Sequence, residues 1–355
     1  MIISRTPYRI SFFGGGTDYP AWYLNNSGSV MSTTIDKYCY ITLRYLPPFF
    51  EHRIRLVYSK VEMCQNYEEI QHPAVRETLR FLDFDRGLEI HHDGDLPARS
   101  GMGSSSSFTV GFLNALYALR NTMGSKKQLA KESIHIEQNM IKDTVGSQDQ
   151  TAAAYGGLNH ISFKSTGEIE VHPIIFPRPR KEELSSHLML FYTGIMRTAS
   201  DVAKSYVDGI EKKKKLLEKM EEMVHRGISI LQSNGSITDF GELLHEAWAT
   251  KRTLSPNVSN DTVDDLYNRA RKNGAVGGKI LGAGGGGFLL LFVPLPKQDR
   301  VREALSELLH VPFSFESRGS EIILYDPDEL DYSAVERDRA DRSLRPFQEI
   351  TCLKG

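Results

Sequence analysis

Three cysteines in 355 residues, Cys39, Cys64 and Cys352, are too few and too scattered for a disulfide framework or a zinc site. They read as reduced thiols. The eleven histidines do not fall at metal-ligand spacing either: His245-Glu246 opens like a zinc-helix motif, but Ala249 stands where the second histidine belongs. No apolar run approaches the roughly 18 residues needed to span a bilayer. Met1 to Arg9 lacks the long apolar segment of a signal peptide. A cytoplasmic protein with no membrane partner is therefore expected. One-sided charge is missing as well, since 43 basic residues against 45 acidic ones leave a net charge of −2. That removes the electrostatic case for nucleic acid. Repeats and low-complexity linkers are absent.

What is present is the composition of a globular protein, 40% apolar and 25% charged. The length allows two or three domains or one large α/β unit. Ile2 to Phe13 reads as one or two strands broken near Pro7. Val30 to Ile35, Tyr38 to Tyr45, Arg53 to Tyr58 and Leu88 to His92 read as further strands, with Pro73 to Phe84 helical. Helices are expected at Lys126 to Lys142 and Gln148 to Tyr155, then strands at Leu158 to Phe163, Ile169 to His172 and His187 to Tyr192. From Ser200 the character changes to long helical stretches, Ser200 to Leu231, Asp239 to Leu254 and Asp261 to Lys272. The apolar run Phe288 to Val293, a helix over Lys297 to Leu309 and strands at Phe313 to Phe315 and Glu321 to Tyr325 follow. The last thirty residues are charged and irregular. A strand-rich half and a helix-rich half thus meet near residues 177–186.

The chain is organised around Asp95 to Leu119. A glycine-broken loop ends in Ser104-Ser105-Ser106-Ser107, and from Phe108 apolar residues recur at the spacing of one helix face. A helix N-terminus carries unpaired N–H groups and the positive end of the helix dipole, which suits a phosphate. Gly101 and Gly103 permit a sharp turn and close approach, and Ser104 and Ser105 offer hydroxyls to a phosphate or a magnesium ion. A serine-capped helix after an ordinary loop has the same local sequence.

Two other glycine runs stand out. Gly14-Gly15-Gly16-Thr17-Asp18 is a tight turn after the strand that carries Arg9, so Arg9 and Asp18 either face one cleft or form a salt bridge pinning the turn. Gly282 to Gly287 satisfies Gly-x-Gly-x-x-Gly literally, but a strand-like run follows it and Asp299 comes too soon for a dinucleotide site. A P-loop fails too, because Asn273 stands five before Gly278 and Ile280 follows Lys279. Four consecutive glycines exceed what a turn requires, and close approach of another group is expected there.

Arg9-Ile-Ser-Phe-Phe-Gly-Gly-Gly-Thr-Asp18-Tyr, Pro97-Ala-Arg-Ser-Gly-Met-Gly-Ser-Ser105 and Lys279-Ile-Leu-Gly-Ala-Gly-Gly-Gly-Gly287 together resemble the three motifs of the GHMP kinases, in order and across nearly the whole chain. The resemblance implies an α+β fold of two domains, 1–185 and 186–355, with the active site in the cleft between them. It implies ATP and Mg2+ as cofactors. Pro97, Ser100, Gly101, Met102, Gly103, Ser104, Ser105 and Ser106 would bind the ATP phosphates, and Ser104 or Ser105 with Glu137 would hold magnesium. Phosphoryl transfer is mainly positioning and charge neutralisation, so it needs a metal, a cation near the transferring group and a carboxylate for the hydroxyl proton. Asp149 is the implied base and Arg9 the cation beside it.

Asp18, with Thr17, Gly15 and Gly16, is expected on the sugar, and Gly284 and Gly285 are expected to touch substrate. Gly15 and Gly16 replace the glutamate and histidine that galactokinases carry at these positions, which widens the pocket. Among the branches of the family the motifs are most similar to the heptose 7-phosphate kinases, so the expected partner is a small-molecule sugar phosphate. A phosphorylated acceptor needs its own cations, and Arg197, Lys251 and Arg252 are the candidates. A kinase of a free sugar such as fucose and a non-catalytic sensor on the same scaffold remain open, as does a homodimer.

Overall fold

The computed structural model describes residues 1–195, 199–326, 332, 334–335 and 337–338. Ile2–Phe13 forms one 12-residue strand, β1. After α1 (Pro20–Asn26) comes an 18-residue strand, β2 (Gly28–Tyr45). The expected break near Pro7 survives only as a register shift between Pro7 and Arg9, since proline has no N–H for the ladder. The two strands expected over Val30 to Tyr45 are one, and its residues 35–37 lie opposite this shift.

β1 and β2 are the centre of a nine-stranded sheet that also holds β3 (Ile54–Val57), β4 (Val61–Cys64), β5 (Leu88–Gly94), β6 (Asn159–Phe163) and β7 (Ile169–Pro173). Every pairing in it is antiparallel except β3 with β5. Helices α2 (Pro73–Phe81), α3 (Ser104–Leu119), α4 (Lys126–His135) and α5 (Gln148–Tyr155) belong to this half. The buried helix α3 lies on β1 and β2, and Gly111 lets it come close, because a Cβ there would sit 2.7 Å from Thr6 Oγ1.

Helix α6 (Arg178–His187), which the sequence did not announce because only Leu184 of its ten residues is buried, leads into β8 (Leu188–Tyr192). Four helices follow, α7 (Ala199–Val207), α8 (Lys214–Gln232), α9 (Thr238–Arg252) and α10 (Asp261–Lys272). The single helix expected over Ser200 to Leu231 is interrupted at Gly209, whose φ of +76° ends α7 and starts a 3-10 turn. β9 (Gly277–Ile280), β10 (Phe288–Phe292) and, after α11 (Gln298–Ala304), β11 (Leu309–His310) join β8 in a second, antiparallel sheet ordered β11-β8-β10-β9. The chain then returns to the first sheet, where β12 (Phe315–Glu316) pairs with β2 and β13 (Glu321–Tyr325) with β1.

The two halves meet at the end of β1. Phe12 and Phe13 pack on Phe240 of α9, with ring centroids 5.3 and 5.1 Å apart. This contact brings α9 against the strand that carries Arg9. Cys39 and Cys64 are buried free thiols, while Cys352 lies outside the described residues. Among the described residues no helix is long and apolar enough to cross a membrane.

Candidate active site

Alternation along β1 sends Ile10 and Phe12 into the core and turns Arg9 and Ser11 to the opposite face. Arg9 is 3% exposed, so its guanidinium needs partners inside the protein. Nε donates to Asp149 Oδ1 at 2.7 Å and Nη2 to Oδ2 at 2.8 Å, while Nη1 donates to the Gly101 carbonyl at 2.6 Å. Asp149 sits in the first turn of α5, where the helix dipole favours a carboxylate. The salt bridge between Arg9 and Asp18 that the sequence allowed does not form. Asp18 instead accepts the Gly16 N–H at 2.9 Å. Burial raises its pKa, with the Asp149 charge adding to the rise and the Gly16 and Gln148 hydrogen bonds opposing it.

The loop from Pro97 to Gly103 closes onto this pair. Gly101 and Gly103 have φ of +83° and +75°, a conformation natural to glycine. A Cβ on Gly103 would lie 3.2 Å from Arg9 Cγ and 3.5 Å from Asp149 Oδ2, so the N-terminus of α3 abuts the ion pair. Gly103 is the N-cap and no side chain caps α3, which leaves its first-turn N–H groups to a ligand. Ser100 Oγ donates to the Pro97 carbonyl at 2.7 Å and the Met102 side chain is wholly buried, so these residues shape the loop. Ser105 is exposed at the helix start and Ser104 partly so.

Helix α4 widens at Ile136–Met140 into a π turn that aims Glu137 at α3. The serine that reaches it is Ser106, whose Oγ donates to Glu137 Oε2 at 2.9 Å, not Ser104 or Ser105. Helical spacing is the reason: Ser106 and Thr109 share the face toward Glu137. Gln150 Nε2 donates to the same oxygen at 2.5 Å, and Oε1 is buried without a partner. Burial pushes the Glu137 carboxyl up to about 7, against the polar neighbours Thr109, Ser106 and Gln150 and with the Asp149 charge.

The second half contributes two buried lysines. Lys251, near the end of α9, donates to the Gly282 carbonyl. Burial lowers its ammonium to about 8, with Arg9 adding to the fall and Asp18 and Asp149 opposing it. Lys279 of β9 donates to the carbonyls of Ser11 and Phe12, both at 3.0 Å. Its pKa falls by burial, then by the charges of Lys251 and Arg9.

The glycine excess of the third motif has a visible cause. A Cβ on Gly282 would lie 2.6 Å from Gly101 Cα, on Gly284 2.6 Å from the Val258 carbonyl oxygen, and on Gly287 2.2 Å from that of Ser100. The third motif is thus pressed backbone to backbone against the loop from Pro97 to Gly103.

Other expected residues make hydrogen bonds within the chain. Gly285 N donates to the Val258 carbonyl at 2.8 Å. Thr17 Oγ1 donates to Gly14 and Ser29 carbonyls and accepts the Ser29 N–H, which occupies its hydroxyl in the turn. Arg252 turns away to Asp264 at 2.5 Å, on a partly exposed face. Arg197 lies outside the described residues. The sequence did not point to the side-chain contacts of Gln150, with Glu137, and of Lys279, with the Ser11 and Phe12 carbonyls, although Gln150 directly follows Asp149.

The signature of the GHMP kinase N-terminal domain matches residues 67–157 and that of the C-terminal domain residues 220–311. The D-glycero-alpha-D-manno-heptose 7-phosphate kinase of Campylobacter jejuni is 30% identical over 335 residues, covering 90% of this chain and 97% of that enzyme. This chain belongs to the GHMP kinases. A bifunctional fucokinase/GDP-fucose pyrophosphorylase of Arabidopsis thaliana is 27% identical over 85% of this chain and 31% of its own length. In fold, the GHMP chain matches a D-glycero-D-manno-heptose 1-phosphate kinase structure from Bacteroides thetaiotaomicron with a TM-score of 0.75 and 21% identity, over 92% of this chain and all of the other. It is accordingly an α+β GHMP kinase, an ATP-dependent phosphotransferase that acts on an alcohol group of a sugar.

GHMP kinases use ATP with Mg2+, and the residues here fit both. The uncapped start of α3 and the left-handed glycines suit phosphates. The unpartnered Oε1 of Glu137 beside a serine hydroxyl suits a hard cation. Among the described residues no group of three or more His, Cys, Asp or Glu is arranged to hold a metal ion.

Proposed function

We propose that this kinase transfers the γ-phosphate of ATP to the anomeric hydroxyl of D-glycero-D-manno-heptose 7-phosphate, giving the 1,7-bisphosphate for nucleotide-activated heptose synthesis. The near full-length likeness to a heptose 7-phosphate kinase carries this reading. The buried ammonium of Lys251 supports it, because a dianionic acceptor needs a cation beyond those that serve ATP.

In this reading the α3 N-terminus and the loop from Gly101 to Ser105 hold the ATP phosphates, and Glu137 with a serine of this turn would hold magnesium, which would neutralise their charge. Asp149 takes the proton of the acceptor hydroxyl as the new O–P bond forms and the bond to the ADP oxygen breaks. Arg9 holds both carboxylate oxygens of Asp149 and the Gly101 carbonyl, so one side chain sets the base relative to the phosphate loop. Asp18 receives acceptor hydroxyls, and Lys251 receives the 7-phosphate.

The test is ATP consumption with magnesium and heptose 7-phosphate, unphosphorylated heptose, fucose or galactose, with Asp149→Ala as control. Preferred turnover of heptose 7-phosphate, lost in the variant, is expected. Preference for a free sugar would sink the acceptor assignment and retain the kinase.

A further inference from the structure

Lys279 is a buried cation that the proposed reaction does not use. It stands on β9 at 4% exposure, and its ammonium donates to the carbonyls of Ser11 and Phe12, both at 3.0 Å. Among the described residues it forms no ion pair with a carboxylate. Keeping an ammonium inside a protein on carbonyls alone is costly, and an apolar side chain would fill the same place more cheaply. The reason for the lysine is therefore sought in the two carbonyls that it binds.

Those carbonyls belong to a bulge. Ser11 pairs with Ser32 and Phe13 with Met31, so β1 advances two residues where β2 advances one. Strand alternation would turn Phe12 and Phe13 to opposite faces, yet both are buried and both pack on Phe240 of α9. The bulge thus decides how the two halves meet. The glycine turn that leads to Asp18 starts directly after it.

The same lysine closes a ring of contacts. Two residues beyond it is Leu281, whose carbonyl oxygen would lie 2.5 Å from a Cβ on Gly101. The Gly101 carbonyl accepts from Arg9 Nη1 at 2.6 Å, and Arg9 stands two residues before Ser11 on β1. From Ser11 and Phe12 the ring returns to Lys279. An extra residue in a strand is unpaired and free to shift unless something else holds it. Without the lysine the ring is open at the bulge, and Arg9 is left on a strand end that no side chain pins.

We infer that Lys279 is a positioning residue for phosphoryl transfer: it pins the bulge at Ser11 and Phe12, and through Arg9 it sets Asp149 against the loop at Gly101. It acts on the strand and on neither substrate. This inference rests on the reading in which Arg9 and Asp149 serve the reacting hydroxyl.

The test is a double-mutant cycle of Lys279→Met with Arg9→Lys, followed by kcat, both KM values and melting temperature, on the sugar that the wild-type protein uses best. Lys279→Met is expected to melt cooperatively and to lower kcat about 10- to 100-fold, the effect of a misplacement of roughly an ångström. Both KM values should stay within about threefold, because the interaction lost is one felt in the transition state. Since Lys279 acts through Arg9, the double variant should lose no more than about threefold in kcat beyond the more damaged single variant. Full multiplication of the two losses overturns the inference, as does a wild-type kcat in Lys279→Met. A rise confined to one KM overturns it too, by placing the ammonium on that substrate. Where Lys279→Met does not fold, Lys279→Gln, which keeps an N–H donor near the carbonyls, carries the same cycle with the same outcomes. Preference of the wild-type protein for a sugar other than heptose 7-phosphate overturns the acceptor assignment alone, and an unaltered kcat in Asp149→Asn overturns the base assignment alone, because the coupling of Lys279 to Arg9 is measured without either. No turnover of any sugar overturns both readings.

Discussion

The guanidinium of Arg9 and the carboxylate of Asp149 form a two-point ion pair, at 2.7 and 2.8 Å, between residues 140 positions apart. The third arm of the same guanidinium holds the Gly101 carbonyl. Asp149 and the loop at Gly101 are thereby held by one planar group, which a lysine cannot imitate.

Arg9→Lys should therefore lower kcat by about 10- to 100-fold while changing the ATP KM little, because a single ammonium cannot hold both carboxylate oxygens and the Gly101 carbonyl in the same geometry. Asp149→Asn should lose about 10²- to 10⁴-fold in kcat, the usual range for a general base. Steady-state kinetics checks both. Unaltered kcat in Asp149→Asn would remove the base assignment.

Glu137→Gln should raise the magnesium concentration needed for half-maximal activity at least tenfold. It should also stabilise the metal-free protein at alkaline pH. The folded pKa of Glu137 is raised from 4.5 to about 7, so its contribution to stability is fully present below about 4.5 and is lost as pH rises through about 7. At pH 8 the wild-type protein carries a buried charge that glutamine lacks, a difference of at most about 3 kcal/mol. Thermal melts with a chelator, at pH 5 and pH 8, should show the variant gaining only at the higher pH.

Lys251→Met should raise the KM for the sugar phosphate about 10- to 100-fold and spare the KM for ATP. The ammonium of Lys251, lowered to about 8, loses its charge as pH rises through that value. The acceptor KM of the wild-type enzyme should consequently climb above pH 8. Lys251→Arg, which stays charged, should flatten this climb, and a climb that persists in it would show that another group is titrating.

Gly101→Ala and Gly282→Ala should each destabilise the protein by about 1–3 kcal/mol and weaken ATP binding. Their backbones are left-handed, and a Cβ would lie 2.5 Å from the Leu281 carbonyl oxygen or 2.6 Å from Gly101 Cα. Melting temperature and ATP titration measure the two effects.

Much of the site was legible because its chemistry is written in contiguous residues. The loop into α3 announces itself through glycines, serines and the helical period after Phe108. Strand β1 is β-branched and aromatic, and Arg9 stands out as a charge within it. Other features were hidden for physical reasons. Helix α6 buries only Leu184, so it has almost no apolar period to read. The π turn at Ile136–Met140 leaves no mark in composition, yet it aims Glu137. That Ser106 is the serine hydrogen-bonded to Glu137 follows from the rotation of α3, which four identical residues in a row do not encode.

By itself the sequence determined the local conformations, the order of the three glycine motifs and the set of charged side chains needed for phosphoryl transfer, since these follow from residue type and near-neighbour spacing. Which charges meet was decided only by the tertiary structure. Arg9 could have paired with Asp18, nine residues away, but strand alternation and the packing of α5 offered it Asp149. The lysines of α9 and β9 reach the site because Phe240 packs on Phe12 and Phe13, and the third motif reaches the loop at Gly101 because glycine leaves the two backbones room. Burial then altered the charges themselves, raising Glu137 and lowering Lys251. That is a property of surroundings assembled from distant parts of the chain, and no stretch of the chain contains it.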